Sequence, residues 1–334
     1  MNHYQPKSML VTGGAGFIGS NFVRHVLSND ANVHVINLDK LTYAGSLDNL
    51  KNLPHPDRHH FIQGDINDKA LIDHVLHHHH IDTIVHFAAE SHVDRSIASP
   101  YAFVETNVMG TFTLLEAARH HWFECNEFSP NACRFHHIST DEVFGSLGPN
   151  DPAFHERTPY DPRSPYAASK AGSDHLVKAY AHTYGLPVTI SNCSNNYGPY
   201  QHAEKLIPTI IRACLNKQNI PIYGNGKNIR DWLYVDDHCE AVLTIIKQGQ
   251  VGECYTIGGD NEWENLALAR HICELLDVMH PSSDSYVKLL TFVTDRAGHD
   301  FRYAIDATKM KKTLRWQSRT TMEEGLKKTI QFYM

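Results

Sequence analysis

Apolar and polar positions along the chain follow two periods. Short apolar runs at residues 7–13, 33–39, 61–65, 83–89, 134–140 and 187–195 have the length of buried strands. Amphipathic stretches at 17–28, 69–77, 101–121 and 166–184 lie between them, with apolar residues recurring at helical spacing. This alternation predicts an α/β fold, a Rossmann-like doubly wound parallel sheet. After Asn195 the rhythm changes. Gly-Pro punctuation enters at NNYGPYQ, and shorter elements follow: helices at 236–248, 266–276 and 322–332, and a strand at 254–257. They predict a smaller, interleaved α/β substrate-binding lobe that closes over the carboxyl edge of the sheet.

Composition narrows the function classes. A net charge of −7 argues against a nucleic-acid surface, which needs a basic excess. The seven cysteines show no CxxC pair and no metal-ligand spacing, which suits a reducing compartment. The opening MNHYQPKSMLVTGG carries no apolar signal region, and no run is long enough to span a membrane, so a cytoplasmic protein is expected. The 25 histidines include the run His77-His78-His79-His80, expected as a solvated helix end before a strand at Asp82. The doublets His59-His60, His120-His121 and His136-His137 are read the same way, and no metal site is expected.

The stretch TGGAGFIGSN has a strand before it and a helix opening inside it. In that context Gly13 permits a tight turn, Gly16 lets a pyrophosphate approach the backbone, and Gly19 allows close helix–sheet packing. The helix start then offers N–H groups and a positive dipole end to phosphates. Asp39 follows Gly19 by 20 residues, at the end of the next strand, where a carboxylate binds a ribose 2′-hydroxyl and disfavours a 2′-phosphate. The expected cofactor is NAD.

Tyr166 and Lys170 stand four apart in SPYAASKAG and share a helix face. A lysine beside a tyrosine lowers the phenol pKa, which makes Tyr166 a base for a hydroxyl proton. Ser139 and Thr140 end the preceding strand, where a hydroxyl can share a hydrogen bond with the substrate oxygen.

TGGAGFIGS, YAASK and HIST resemble the extended short-chain dehydrogenase/reductase family. HISTDEVFG, AAESHVDRSI, NCSNNYGPYQ, EKLIP, GNGKNIRDWLYVDDH and TDRAGHDFRYAID are similar to its nucleotide-sugar dehydratases, those that act on dTDP-glucose. The similarity runs from about Leu10 to Thr308. It implies an NAD-binding Rossmann domain at 1–195 with 231–255, and a nucleotide-sugar-binding domain at 196–230 with 256–334. It implies a dTDP-glucose 4,6-dehydratase reaction, an NAD-dependent hydro-lyase chemistry. C4 is oxidised, water is lost across C5 and C6, and hydride returns to C6. Glu142 would take the C5 proton, and a protonated Asp141 would release the C6 hydroxyl as water. Thr140, Tyr166 and Lys170 complete the catalytic group.

By the same resemblance Phe17 and Ile18 sit at the cofactor phosphates, with Asp39, Lys40, Leu41 and Thr42 at the adenosine ribose and Asp65 and Ile66 at the adenine. Ala88, Ala89, Glu90 and Ser91 line the cofactor side, and Thr106, Asn196, Tyr166 and Lys170 also contact NAD. The sugar-nucleotide side takes Ser91, His92, Thr140, Asn195, Lys205, Leu206, Pro221, Tyr223, Arg230, Asn265, Arg296 and His299. The three cations among them are what a diphosphate requires.

Three positions depart from the family pattern: Ala203 and Ala297 replace prolines, and Phe144 replaces a tyrosine. Trp122 to Cys133 is read as a surface excursion. A homodimer is implied, with helices 101–121 and 166–184 pairing with their mates, as is a place in deoxysugar supply of the rhamnose type. Four rivals stay open: a UDP-glucose dehydratase, a nucleotide-sugar 4-epimerase, a UDP-uronic acid decarboxylase, and a non-catalytic NAD-binding protein. The Asp141-Glu142 pair speaks against the epimerase, which needs no acid–base pair for C5 and C6.

Overall fold

The computed structural model describes residues 4–295 and 298–334. In its first half β1 (Ser8–Thr12), α1 (Phe17–Asn29), β2 (His34–Asp39), β3 (His59–Gln63), α2 (Lys69–His78), β4 (Thr83–His86), α3 (Val93–Ala98), α4 (Tyr101–Phe103), α5 (Thr111–Arg119), β5 (Arg134–Thr140), α6 (Pro165–Tyr184) and β6 (Val188–Cys193) follow in order. Next come β7 (Asn195–Tyr197), α7 (Leu206–Leu215), β8 (Ile220–Tyr223), β9 (Ile229–Tyr234), α8 (Val235–Gln248), β10 (Cys254–Ile257), β11 (Glu262–Glu264), α9 (Asn265–Met279), β12 (Leu290–Val293) and α10 (Met322–Tyr333).

Seven strands form one parallel sheet in the order β10-β6-β5-β4-β1-β2-β3. The strands read as continuous apolar runs because helices cover both faces. On one face Phe22, Val23 and Val26 of α1 pack with Val242, Ile245 and Ile246 of α8. On the other, Ile72 and Leu76 of α2 meet Leu114 and Leu115 of α5 and Val177 of α6. The order of the strands reverses between β1 and β4, which opens a crevice at their carboxyl ends.

The smaller lobe contains the sheet β11-β9-β7 and the parallel pair β12-β8. Its core joins Ile207, Ile210 and Ile211 of α7 to Leu268 and Ile272 of α9 and Leu326 and Ile330 of α10. α7 is not among the elements expected above, although its buried Ile207, Ile210, Ile211 and Cys214 recur at helical spacing; Pro208 in its first turn obscures the pattern. Strands β7, β8, β9, β11 and β12 are three to six residues long, too short for a period to stand out.

Three expectations need correction. The helix expected over 101–121 is a longer helical path. α4 passes into a π-helical stretch at Val104–Gly110, then α5, then a second π-helical stretch at His120–Glu124. The excursion from Trp122 to Cys133 is anchored at both ends, since both residues are fully buried and Trp122 Nε1 donates to the Ile81 carbonyl at 2.7 Å. The doublet His136-His137 is 0% exposed. Neighbours on a strand point to opposite faces, and β5 is central with both faces covered, so neither side chain reaches water. His121 is buried as well, whereas His77, His78 and His80 are exposed at the end of α2.

Candidate active site

One wall of the crevice is made largely of backbone. β1 runs into Gly13, whose φ of +72° turns the chain, and a Cβ there would lie 2.6 Å from the Ala88 nitrogen. Gly19 packs α1 onto this turn, since a Cβ would lie 2.2 Å from the Gly13 carbonyl oxygen. Gly16 caps α1 with no side-chain hydrogen bond. A Cβ on Gly16 would meet only the Gly13 carbonyl oxygen, at 3.2 Å, and would otherwise project into the cavity. Asp39 ends β2. Its Oδ2 accepts from Ala15 N at 2.9 Å and its Oδ1 from Leu41 N at 2.8 Å, while burial pushes its carboxyl above the usual range. Asp65 pairs with Lys40 at 2.7 Å. Burial alone would raise the Asp65 carboxyl, but the bonds from Asn67 and Lys40 hold it below its usual value.

The opposite wall is made of side chains. β5 delivers Thr140, and a single 3-10 turn at Asp141–Phe144 carries Asp141 and Glu142. α6 starts sharply because the Ser164 side chain accepts from Ala167 N and Pro165 holds the first position. Tyr166 therefore sits in the first turn and Lys170 one turn on. Asp141 is 2% exposed, and burial, Glu142 and Asp231 hold its carboxyl well above the ordinary range. The Thr140 hydroxyl donates to Asp141 Oδ1 at 3.3 Å and stands close enough to the Tyr166 phenol to oppose the rise in its pKa.

Lys170 does not act on Tyr166 as expected. Burial, then Glu142, push the Tyr166 phenol well above its usual value. The Lys170 ammonium instead donates inward to the Ile138 carbonyl at 2.7 Å, and burial pulls it down to about 8. Ser139 also turns inward and donates to Asp174 at 2.8 Å.

One cavity of about 400 Å³ joins the two walls. Of the cofactor-side residues, Gly13, Gly16, Phe17, Ile18, Gly19, Asp39, Lys40, Thr42, Asp65, Ile66, Ala88, Ala89, Glu90, Ser91, Thr106, Tyr166, Lys170 and Asn196 line it. Leu41 does not, though its backbone orients Asp39. Thr140, Asp141, Glu142, Asn195 and Lys205 also line it. Outside its lining stand His92, Leu206, Pro221 and Tyr223 on β8, Arg230 on β9, Asn265 at the start of α9, and His299. Arg296 and Ala297 lie outside the described residues. The Arg230 guanidinium is held by the carbonyls of Ile229, Asp300 and Phe301, yet still acts on the Asp141 carboxyl.

The cavity fits a dinucleotide. Its glycine turn leaves open the face that a Gly16 side chain would fill, and Asn195 Oδ1 and Asn196 Oδ1 are buried without hydrogen-bond partners among the described residues. Among the described residues, no group of three or more His, Cys, Asp or Glu is placed to hold a metal ion. Sequence reasoning missed Tyr43, Cys193, Ser194, Gln201 and Glu204, which also line the cavity. Cys193 and Ser194 could have been found by the rule that ligands bind beyond the carboxyl ends of parallel strands. Glu204 takes its place through His92 at 3.5 Å and Arg95 at 3.7 Å, contacts far apart in sequence. Phe144 packs in the core, 5.2 Å from the Phe154 ring.

Comparisons with known proteins agree with this geometry. The family model described as GDP-mannose 4,6 dehydratase matches residues 10–329. A dTDP-glucose 4,6-dehydratase of Shigella flexneri is 51% identical over 98% of this chain and 92% of its own. The crystal structure of DesIV, a dTDP-glucose 4,6-dehydratase of Streptomyces venezuelae with NAD and dTDP bound, superimposes with a TM-score of 0.88 at 44% identity, covering 98% of this chain and 96% of that one. A UDP-glucose 4-epimerase of Thermotoga maritima with UDP-glucose superimposes at 0.85 with 27% identity, covering 98% of each chain. The chain belongs to the GDP-mannose 4,6 dehydratase family of nucleotide-sugar enzymes.

Proposed function

We propose that this chain is an NAD-dependent hydro-lyase that converts dTDP-D-glucose to dTDP-4-dehydro-6-deoxy-D-glucose and water. The observation that carries this reading is the pairing of Asp141 with Glu142 at the end of β5, in one cavity with Tyr166 and Lys170. NAD supplies the oxidant at C4 and the reductant at C6 within the same turnover. The chain supplies the proton transfers. Tyr166 takes the C4 hydroxyl proton, for which its phenol must ionise against the burial and the Glu142 charge that raise it, and Lys170 lies one turn on in the same cavity. The C4 ketone acidifies the C5 proton, which the Glu142 carboxylate removes. Asp141, kept protonated by burial and by Glu142, gives its proton to the departing C6 hydroxyl. Glu142 then returns the proton to C5.

The proton count has a consequence. Because the product keeps its ketone, each turnover leaves Tyr166 with one proton more and Asp141 with one fewer. The Thr140 hydroxyl, bonded to Asp141 and beside Tyr166, lies between the two groups that must exchange it.

The dimer and the compartment belong to the same reading. Tyr101, Val104 and Phe112 on the helical path through α4 and α5, with Tyr184 ending α6, form exposed apolar surface that suits a homodimer. No helix among the described residues is long and apolar enough to cross a membrane, and all seven cysteines are free, which suits the cytoplasm.

The test is to incubate the purified protein with dTDP-glucose, without added NAD, and follow the nucleotide sugar by mass spectrometry. Loss of one water is expected. An unchanged mass, with an epimerised sugar in its place, would overturn the reading.

A further inference from the structure

Behind the cleft lies a buried charge that the reaction does not use. Tyr166, Lys170 and Asp174 follow one another at four-residue steps on α6. Asp174 is 0% exposed. Its Oδ2 accepts from Ser139 Oγ at 2.8 Å, Tyr160 OH at 2.8 Å and Asn192 Nδ2 at 3.3 Å. Its Oδ1 makes no well-angled hydrogen bond but lies 3.2 Å from His137 Nε2. The same Nε2 lies 3.5 Å from Lys170 Nζ and 3.3 Å from Ser173 Oγ.

A carboxylate withdrawn from water needs a compensating cation. Against the burial that raises it, His137 and then Lys170 hold the Asp174 carboxyl below its usual range. But burial and the Lys170 charge pull the His137 imidazole itself down to about 4, so His137 is the neutral member of the group. The other groups facing this pocket leave the pairing unchanged. His86 on β4 is held neutral by burial, burial pushes Cys193 on β6 to about 12, and burial also raises Cys254 on β10 and Tyr160. Lys178 stands over the Tyr160 ring at 4.7 Å, and His175 touches the same ring. The cation at the buried end is Lys170.

We propose that Asp174, acting across His137, is the positioning residue that anchors the Lys170 ammonium one turn from Tyr166. The inference rests on the dehydratase reading only for its catalytic consequence. Without the Asp174 charge, burial acts on Lys170 with its largest opposing charge removed, and the amine loses its proton at lower pH.

The experiment is a 13C-lysine NMR titration of the whole protein, with the Lys170 signal assigned through Lys170→Arg. It is run alongside pH profiles of kcat/KM. The native Lys170 midpoint is expected at about 8. Asp174→Asn should lower it by about one pH unit or more, and the basic limb of kcat/KM should fall with it. Asp174→Glu should restore both. Tyr160→Phe removes a hydrogen bond but keeps the charge, and should move neither. If Asp174→Asn shows no cooperative melt, Asp174→Ser, which leaves room for water, replaces it. An unshifted midpoint in the folded neutral variant overturns the proposal. So does an equal shift in Tyr160→Phe, or a shifted midpoint with an unmoved kcat/KM profile. If the native protein fails to dehydrate dTDP-glucose, the proposed function falls, while the titration still judges Asp174.

Discussion

The two walls of the cleft are built by different means. The wall around Gly13, Gly16, Gly19 and Asp39 uses backbone, tight turns and residues close in sequence. The wall around Thr140, Asp141, Glu142, Tyr166 and Lys170 uses side chains whose behaviour depends on what buries them. The first wall is a shape, so its failure is steric. The second is a set of proton affinities, so its failure is electrostatic. Substitutions in the two walls should therefore fail in different ways.

The largest effect is expected at Glu142. Glu142→Gln should lower product formation by about 1,000-fold, the middle of the range for losing a general base. Oxidation at C4 should survive, so absorbance of reduced nicotinamide should build on adding dTDP-glucose; normal product formation would remove Glu142 from its role. Tyr166→Phe should cost about 100-fold or more with no such absorbance. Seeing that absorbance at the native rate would show that another group takes the C4 proton.

Gly19→Ala attacks the first wall. Its Cβ would lie 2.2 Å from the Gly13 carbonyl oxygen, and such overpacking costs about 3 kcal/mol. A chemical-denaturation curve and the NAD retained on gel filtration should both report the loss. An unchanged curve with full NAD retention would mean that the turn relaxes freely.

A pH series sharpens the electrostatic side. His86, His136, His137 and His238 are all lowered by burial, so the unfolded chain binds their protons first as pH falls below about 6.5. Their stabilising contribution is complete above that pH and is lost below it. Asp141 and Asp231, raised by burial, pull the other way. Two protons net give a loss of about 3 kcal/mol per pH unit between pH 6.5 and 5. Urea unfolding at pH 7 and pH 5.5 measures it, and equal stabilities at the two values would refute it.

The smallest effect belongs to His238, which is fully buried on α8 with neither ring nitrogen hydrogen-bonded among the described residues. His238→Leu should be neutral or stabilise by about 1 kcal/mol. A clear drop in melting temperature would point to a partner for that ring.

Histidine shows where the sequence could be read and where it could not. The exposed residues of the run His77–His80 follow from the end of α2, a local feature. RFHHIST reads as an apolar strand with two polar guests. Only the place of β5, with β4 on one side and β6 on the other, puts both guests indoors.

By itself the sequence determined the doubly wound sheet, the glycine turn, the acid ending β2 and the company of Asp141-Glu142 with Tyr166 and Lys170. The first three are matters of spacing along neighbouring elements; the fourth came from the family resemblance, since Asp141-Glu142 stand on the turn after β5 and Tyr166 and Lys170 on α6. The tertiary structure decided which groups carry charge. Asp141 is held neutral, Tyr166 is raised rather than lowered, and Lys170 turns toward His137 and Asp174. Those outcomes depend on burial and on partners up to about a hundred residues away, and no local spacing records them.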